Sequence, residues 1–318
     1  MQTHLIKIIA LFFCFLGGAL CNPPAQAHVL QGPHILELMT ARLGQAKSLY
    51  VSQKVLFYQM GPMEDVPGLD EKNPFARTVA PERTTAAIRS AAARDDPRGK
   101  EVRRESLRYL FPGAFRSDLN SKNGERIHVS VDGESLTVVD GSIVPTAPTR
   151  FDLYKDLLLL RSRKILVERL SLLGVDVSVS SLGRFEGHVV FVVGAIYPDE
   201  SVPQLWIDKN TLQPIRWIIT GRNQETSSEP FEIRYFEWRP MGNIWYPRRI
   251  EFIQGDQLVR ELQSEKYELN PTLATELFDI ARLKKVYRAS SPGPTRPRES
   301  KGMSEVQKTI EEFRRIFE

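Results

Sequence analysis

The residue types that most often carry catalysis are sparse in this sequence and stand far apart. His28, His34, His128 and His188 are each isolated, and we expect them to be exposed strand or loop residues rather than metal ligands. The sequence has no Gly-x-Ser-x-Gly turn, no glycine-rich phosphate loop and no His-Glu-x-x-His pair. We therefore expect no enzymatic activity, no cofactor and no metal site. A pair of carboxylates assembled only by the fold stays open as the route to an unrecognised hydrolase.

The N-terminal residues have the three parts of a secretory signal peptide. Lys7 is the only formally charged side chain, the apolar run Ile8 to Leu20 follows, and Ala25-Gln26-Ala27 forms a small-x-small cleavage sequence. The apolar run has 13 residues, whereas a helix needs roughly 20 to cross a bilayer. We therefore expect residues 1–27 to be cleaved near Ala27 and His28 and the protein to be periplasmic, with a permanent anchor as the alternative.

The cysteines and the charge exclude several classes of protein. Cys14 and Cys21 both lie within the predicted signal peptide, so the exported chain would have no thiol for a disulfide, a metal site or a nucleophile. Lipid attachment at Cys21 is an alternative, but Leu20 is larger than the residue that normally precedes a lipidated cysteine. The formal charge of +4 becomes +3 without Lys7. No block of basic residues indicates a nucleic-acid partner.

Short stretches in which apolar and polar residues alternate predict about ten antiparallel strands. Ile127, Val129 and Val131 alternate with polar residues before Asp132-Gly133, and a second strand then runs to Asp140-Gly141, which predicts a hairpin. Further strands are predicted at 48–58, 175–179, 189–197, 205–208, 215–220, 231–238, 246–254 and 258–269.

Two segments predict helices beside this sheet. Apolar residues recur at helical spacing in residues 34–46. Residues 151–173 predict one strongly apolar helix that ends at Gly174. Helices beside a long antiparallel sheet predict an α+β fold, with a curved, unclosed half-barrel whose concave face is covered by helices.

The remaining segments predict appendages to one folded domain at residues 28–283. Residues 61–100 contain five prolines and scattered charges, which predicts a flexible insertion. Residues 284–303 predict a linker, and residues 304–318 predict an amphipathic helix. This last helix could dock on its own domain, on a partner or on a membrane surface.

Large aromatic residues lie on or beside the predicted strands, among them Trp206, Trp217, Trp238 and Trp245. Aromatic residues in strands usually belong to a core. Trp206, however, alternates out of phase with its apolar neighbours in the strand, so some strands carry large apolar groups on both faces. Such a sheet must cover both faces, either with helices and core or with a ligand.

Several short motifs resemble the periplasmic lipoprotein-carrier family (LolA-type), which has an unclosed β-barrel. Residues 109–116 (YLFPGAFR) resemble its Pro-x-x-Phe strand, and residues 131–136 (VDGESL) resemble its Asp-Gly-x-x-Leu hairpin. Residues 205–216 and 246–250 resemble later strands of that family. The likeness spans residues 34–280. It departs from the family at Phe111, where the carriers have an arginine before the proline.

The resemblance implies a carrier that shelters the acyl chains of a lipoprotein or lipid between the sheet and a lid helix. The predicted helix at 153–173 would be the lid, and an inner- or outer-membrane protein would be a partner. The residues we expect to line the cavity, although each could be ordinary core, are Phe115, Leu136, Leu157, Leu160, Ile165, Trp206 and Trp217. The alternative is an envelope-stress sensor or adaptor, resembling anti-sigma-factor regulators, that uses a related half-barrel to bind a protein.

Overall fold

The computed structural model describes residues 29–58, 101–121, 124–144, 149–219 and 230–289. The predicted signal peptide (1–27), the predicted insertion (61–100) and the predicted C-terminal helix (304–318) lie outside these residues, as does most of the predicted linker. None of the described helices is long and apolar enough to span a membrane.

The described strands form one sheet that does not close. From edge to edge the order is β14-β6-β5-β4-β3-β2-β1-β13-β12-β11-β10-β9-β8-β7, and neighbours are antiparallel except the short parallel pair β14 and β6. The strands are β1 (Ser48–Phe57), β2 (Glu101–Leu110), β3 (Ala114–Ser121), β4 (Gly124–Val131), β5 (Glu134–Val139), β6 (Ser142–Val144), β7 (Ser180–Phe185), β8 (His188–Val193), β9 (Gln204–Asp208), β10 (Pro214–Ile219), β11 (Phe231–Met241), β12 (Ile244–Gln254), β13 (Gln257–Leu269) and β14 (Arg288–Ala289). The structure confirms the unclosed antiparallel sheet and has more strands than the roughly ten predicted.

Tight turns set the register of the predicted hairpin. Asp132 and Gly133, with φ of 47° and 90°, join β4 to β5. Asp140 and Gly141, with φ of 48° and 75°, join β5 to β6. Positive φ at both central residues is the turn geometry that matches the twist of a hairpin. The structure confirms both turns that the sequence predicts.

The described helices lie on both faces of the sheet and confirm the α+β class. They are α1 (Gly32–Leu43), α2 (Tyr154–Leu159), α3 (Arg163–Leu172) and α4 (Ile280–Val286), with 3₁₀ turns at Arg150–Asp152 and Thr275–Leu277. We call the face that α1, α2 and α3 cover the inner face, and the face on which α4 packs the outer face. The structured chain continues through α4 and β14, past the start of the predicted linker at residue 284.

Two predictions between residues 151 and 179 were wrong. The single predicted helix is two helices, because Leu160 and Ser162 have extended backbone angles, with ψ of 92° and 127°. Residues 175–179 are a loop rather than a strand. Asp176 closes a turn there by accepting hydrogen bonds from the backbone N and the Oγ of Ser178, at 3.0 and 2.6 Å. Gly174, with φ of 91°, ends the helical segment as predicted.

Candidate functional site

Aromatic side chains cover the inner face beneath α2. Tyr109 and Phe115 are opposite each other on β2 and β3, and their rings meet edge to face with centroids 5.0 Å apart. Phe252 of β12 lies 5.5 Å from the ring of Phe151 and 5.9 Å from that of Tyr154. We call these two groups of rings, which lie on the inner face beside α2, the aromatic layer.

Three of the seven predicted lining residues belong to this inner face. Phe115 and Leu157 are fully buried between β3 and α2. Trp217 is opposite Leu205 and Ile233 in the sheet, which places it on the inner face, and it is also fully buried. The structure therefore brings these three side chains to the same side of the sheet.

Two further predicted residues lie at the edge of the helical cover. Leu160 follows the last residue of α2 and is partly buried. Ile165 lies in α3, and its side chain is 40% exposed. The buried residues of α3 are instead Leu166 and Leu170.

The remaining two predicted residues lie on the outer face and do not line the space beneath α2. Leu136 packs in a cluster with Ile127 of β4 and with Ile280 and Leu283 of α4. Trp206 is opposite Arg216 rather than Trp217 in the register of β9 and β10. The alternation of a strand separates its two faces, but it does not say which face the helices cover, so the sequence could not assign these residues.

A separate set of contacts holds Trp206 on the outer face. Its ring meets the rings of Phe185 and Tyr197, with centroids 5.6 and 5.9 Å away, and the guanidinium of Arg216 lies 4.7 Å from it. Arg216 in turn pairs with Glu232 and Glu200. Both faces of this part of the sheet are therefore covered by protein, as the two-sided apolar pattern required.

A buried ion pair fixes the start of α2 on the inner face. Arg126 of β4 donates to the carboxylate of Asp152 over 2.8 Å, and the Oγ1 of Thr149 donates to the same carboxylate over 2.9 Å. Burial alone would raise the pKa of Asp152, but Arg126, followed by His128 and Lys155, holds it well below its usual value. Asp152 therefore stays ionised and paired at neutral pH.

His128 is buried on the inner face, contrary to the prediction that it is exposed. Its Nδ1 lies 3.0 Å from the Oγ1 of Thr137 on the neighbouring strand. Burial lowers its pKa from 6.5 to about 4, against the attraction of Asp152, so the imidazole is neutral at pH 7. His34, by contrast, is exposed, and so is most of the side chain of His188. His28 lies outside the described residues.

The other end of α2 is held by weaker contacts. Leu160, Arg161 and Ser162 form the junction between α2 and α3, and the carbonyl oxygen of Arg161 accepts a hydrogen bond of 3.5 Å from Gln45. An exposed ion pair of 3.2 Å joins the first residue of α3, Arg163, to α1. Exposed pairs of this kind contribute about 0–1 kcal/mol. The junction is thus less firmly fixed than the start of α2.

The side chain of Arg161 is the feature of this site that the sequence analysis missed. The residue is 6% exposed, and none of its three guanidinium nitrogens has a hydrogen-bond partner among the described residues. The guanidinium lies over the ring of Phe111, 5.5 Å from its centroid. Burial lowers its pKa to about 10, so the side chain is still charged at pH 7.

A pair of tyrosines lies beside Arg161. The hydroxyls of Tyr109 and Tyr246 are hydrogen-bonded over 2.9 Å, and both residues act on the pKa of Arg161. Burial raises the pKa of each phenol well above its ordinary value, so both remain neutral. The tyrosines therefore give Arg161 a polar environment without a negative charge.

The described residues contain little that suggests catalysis or metal binding. They include no group of three or more histidine, cysteine, aspartate or glutamate residues placed to hold a metal ion. The Nδ1 of His188 lies 2.8 Å from Asp208, but Asp208 also accepts the backbone N–H groups of Asn210 and Thr211 in the turn after β9. The carboxylate of Asp208 therefore stabilises the turn after β9.

Structural comparison finds solved proteins with a similar fold. A domain described as an outer membrane lipoprotein-sorting protein from Vibrio parahaemolyticus has a TM-score of 0.47 and 10% identity, covering 79% of this chain and 97% of its own. A DUF1329 family protein from Desulfovibrio piger has a TM-score of 0.46 and 10% identity, covering 80% and 98%. A LolA superfamily protein from Nitrosomonas europaea has a TM-score of 0.40 and 11% identity, covering 79% and 98%.

No protein-family model and no curated protein matches the chain. The three structures share only a distant likeness of fold with this chain. They give no residue of this chain a role.

Proposed function

We propose that this chain is an exported, periplasmic carrier that binds acyl chains of a lipid or lipoprotein between the inner face and the segment formed by α2 and α3. The observation that carries the proposal is the aromatic and apolar inner face of an unclosed sheet, part of which is covered by two short helices with a non-helical junction. The proposed lining includes Phe115, Leu157 and Trp217, with Leu160 at the junction and Ile165 on α3.

Burial of an acyl chain supplies enough free energy for such a function without any catalytic group. Each methylene removed from water contributes about 0.8 kcal/mol, so a chain of about 16 carbons contributes on the order of 12 kcal/mol before ordering costs. Part of that free energy must be used to separate the helices from the aromatic layer.

The contacts of α2 determine where that separation would begin. Its first turn is fixed by the buried pair between Arg126 and Asp152, and by the hydroxyl of Tyr235, which donates to the carbonyl oxygen of Tyr154 over 3.1 Å. The junction at 160–162 has the weaker contacts described above. In the proposed mechanism, α2 and α3 therefore move away from the sheet at the junction, while the start of α2 stays in place.

The two buried tryptophans on opposite faces allow a direct test. A fatty acid brominated along its chain quenches the fluorescence of tryptophans it contacts, and we expect it to quench Trp217 on the inner face but not Trp206 on the outer face. The quenchable fraction should fall in Trp217→Phe and persist in Trp206→Phe. Both substitutions retain a buried aromatic ring, so both variants should fold.

Quenching that disappears in Trp206→Phe and persists in Trp217→Phe would contradict the inner face as the binding site. Native mass spectrometry of the exported protein, prepared without detergent, supplies an independent measurement. Co-purified lipid or acylated peptide in a fixed ratio supports the carrier function. A protein that carries no lipid and binds no fatty acid would refute it.

A further inference from the structure

We infer that Arg161 binds an anionic head group, so that the ligand of this protein is an acidic amphiphile whose carboxylate or phosphate pairs with the guanidinium beneath the α2–α3 junction. This inference rests on the proposed binding of acyl chains. It adds the chemical class of the ligand and its orientation, with the head group at the junction and the chain over the aromatic layer.

The unpaired state of Arg161 is the first argument. Buried charges in proteins are normally paired and hydrogen-bonded, because water no longer solvates them. Within the described residues, no carboxylate lies within ion-pair distance of Arg161, and none of its guanidinium nitrogens is hydrogen-bonded. Its stacking on Phe111 replaces part of the lost hydration but supplies no acceptor.

Two other cations beneath the helices, Arg126 and Lys155, are hydrogen-bonded, unlike Arg161. Arg126 donates to Asp152, and Lys155 donates to the carbonyl oxygen of the same residue over 2.9 Å. Asp156 lies 2.6 Å from Arg169 and 3.6 Å from Lys155. These carboxylates are already engaged at the start of α2, so among the described residues they do not supply a counter-ion for Arg161.

The two tyrosines beside Arg161 can donate a hydrogen bond to an anion and carry no negative charge. The hydrogen bond between Tyr109 and Tyr246 uses one of their two hydroxyl protons, so the pair can also donate to a third group. Because both phenols are neutral, they do not repel a carboxylate or phosphate. Arginine binds such groups strongly, since two of its N–H groups can donate to two oxygens at once.

Aromatic and basic residues that are partly or fully exposed adjoin the tyrosine pair. Tyr267 of β13 meets the ring of Tyr246 edge to face at 5.7 Å and is half-buried. Arg239 and Arg248 lie on the same face of β11 and β12 as Tyr246, are exposed, and act on the pKa of Tyr267. These two exposed cations beside Tyr267 would attract an anionic head group toward this side of the tyrosine pair.

Binding of three ligands with the same chain tests the inference. Hexadecanoate, hexadecyl phosphate and 1-hexadecanol are titrated, below their aggregation limits, into the exported protein by displacement of an uncharged fluorescent probe. We expect the wild-type protein to bind at least one anion about tenfold or more tightly than the alcohol. The anion that binds more tightly identifies whether the head group is a carboxylate or a phosphate.

Variants assign this preference to one residue. In Arg161→Met the ratio of the affinities for the anion and for 1-hexadecanol should fall to about twofold or less. Arg161→Lys keeps the charge and should retain part of the preference. Arg282→Met is the matched control, because Arg282 is exposed on α4 at the outer face, and it should keep the full preference.

The outcomes separate this inference from the proposed function. If the wild-type protein binds the anions and the alcohol with equal affinity, the head-group site is overturned and acyl binding stays in place. This comparison needs no variant. A preference that survives in Arg161→Met also overturns it. If none of the three ligands binds, the proposed function fails, and the inference fails with it.

Discussion

Replacement of Arg161 by methionine is expected to stabilise the unliganded protein. Methionine retains an unbranched apolar side chain and removes a buried guanidinium that has no hydrogen-bond partner in the described residues. Desolvation of a buried charge costs several kcal/mol, and the contact with Phe111 returns about 2 kcal/mol or less. We expect the free energy of unfolding to rise by about 2 kcal/mol.

The same substitution at Arg126 is expected to have the opposite sign. Arg126 is as buried as Arg161, at 4% against 6% exposure, but it is paired with Asp152. Arg126→Met leaves a buried carboxylate without its main partner, and such a change costs about 3–5 kcal/mol. The two variants therefore compare a buried arginine that is paired, at the start of α2, with a buried arginine that has no partner among the described residues, at the end of α2.

Urea denaturation followed by tryptophan fluorescence and by circular dichroism measures both changes, provided that the dependence on urea is the same in each variant. In thermal unfolding, a change of 1 kcal/mol corresponds to about 2–4 °C for a domain of this size. If Arg161→Met lowers the stability as Arg126→Met does, the guanidinium of Arg161 is satisfied in the folded protein and the reasoning is refuted.

Three further predictions follow from other parts of the structure. Because the pKa of His128 falls from 6.5 in the unfolded chain to about 4 in the fold, the free energy of unfolding should decrease by up to about 3 kcal/mol as the pH drops through that range. Urea denaturation at several pH values should show a weaker dependence of stability on pH in His128→Gln. A dependence equal to that of the wild-type protein would contradict this assignment. Gly44 has φ of 79°, and a Cβ there would collide with the carbonyl oxygen of Asn243, so Gly44→Ala should lower the free energy of unfolding by at least about 1 kcal/mol. Deletion of residues 290–318 should leave the affinity for fatty acids unchanged, since every proposed lining residue lies earlier in the chain; a loss of binding would place part of the site in that segment.

The strands could be predicted where the sequence also specifies the turn. Asp132-Gly133 and Asp140-Gly141 require positive φ at two successive positions, and aspartate and glycine tolerate it, so the hairpin follows from local chemistry. Residues 175–179 show the limit of the same reasoning. Their valines alternate as in a strand, but Asp176 and Ser178 form a side-chain turn that competes with the extended pairing.

The candidate site could be predicted only in part, because alternation defines two rows of side chains and tertiary packing decides what covers each row. Trp206 and Trp217 both lie in buried strands, yet Trp206 packs against Tyr197 on the outer face and Trp217 lies on the inner face. Leu136 is buried on the outer face because α4, which follows the last long strand, returns to pack on β4 and β5. No local pattern encodes that return.

Arg161 was overlooked for a related reason, although the sequence contains one clue to it. It follows four consecutive leucines, residues 157–160, in the segment predicted to be one helix. In one continuous helix the arginine could extend its side chain along the surface to water. The break at 160–162 instead buries the guanidinium against Phe111 and the tyrosine pair. An arrangement that lowers the stability of the empty protein is expected where a ligand supplies the missing partner, because functional sites often trade stability for binding.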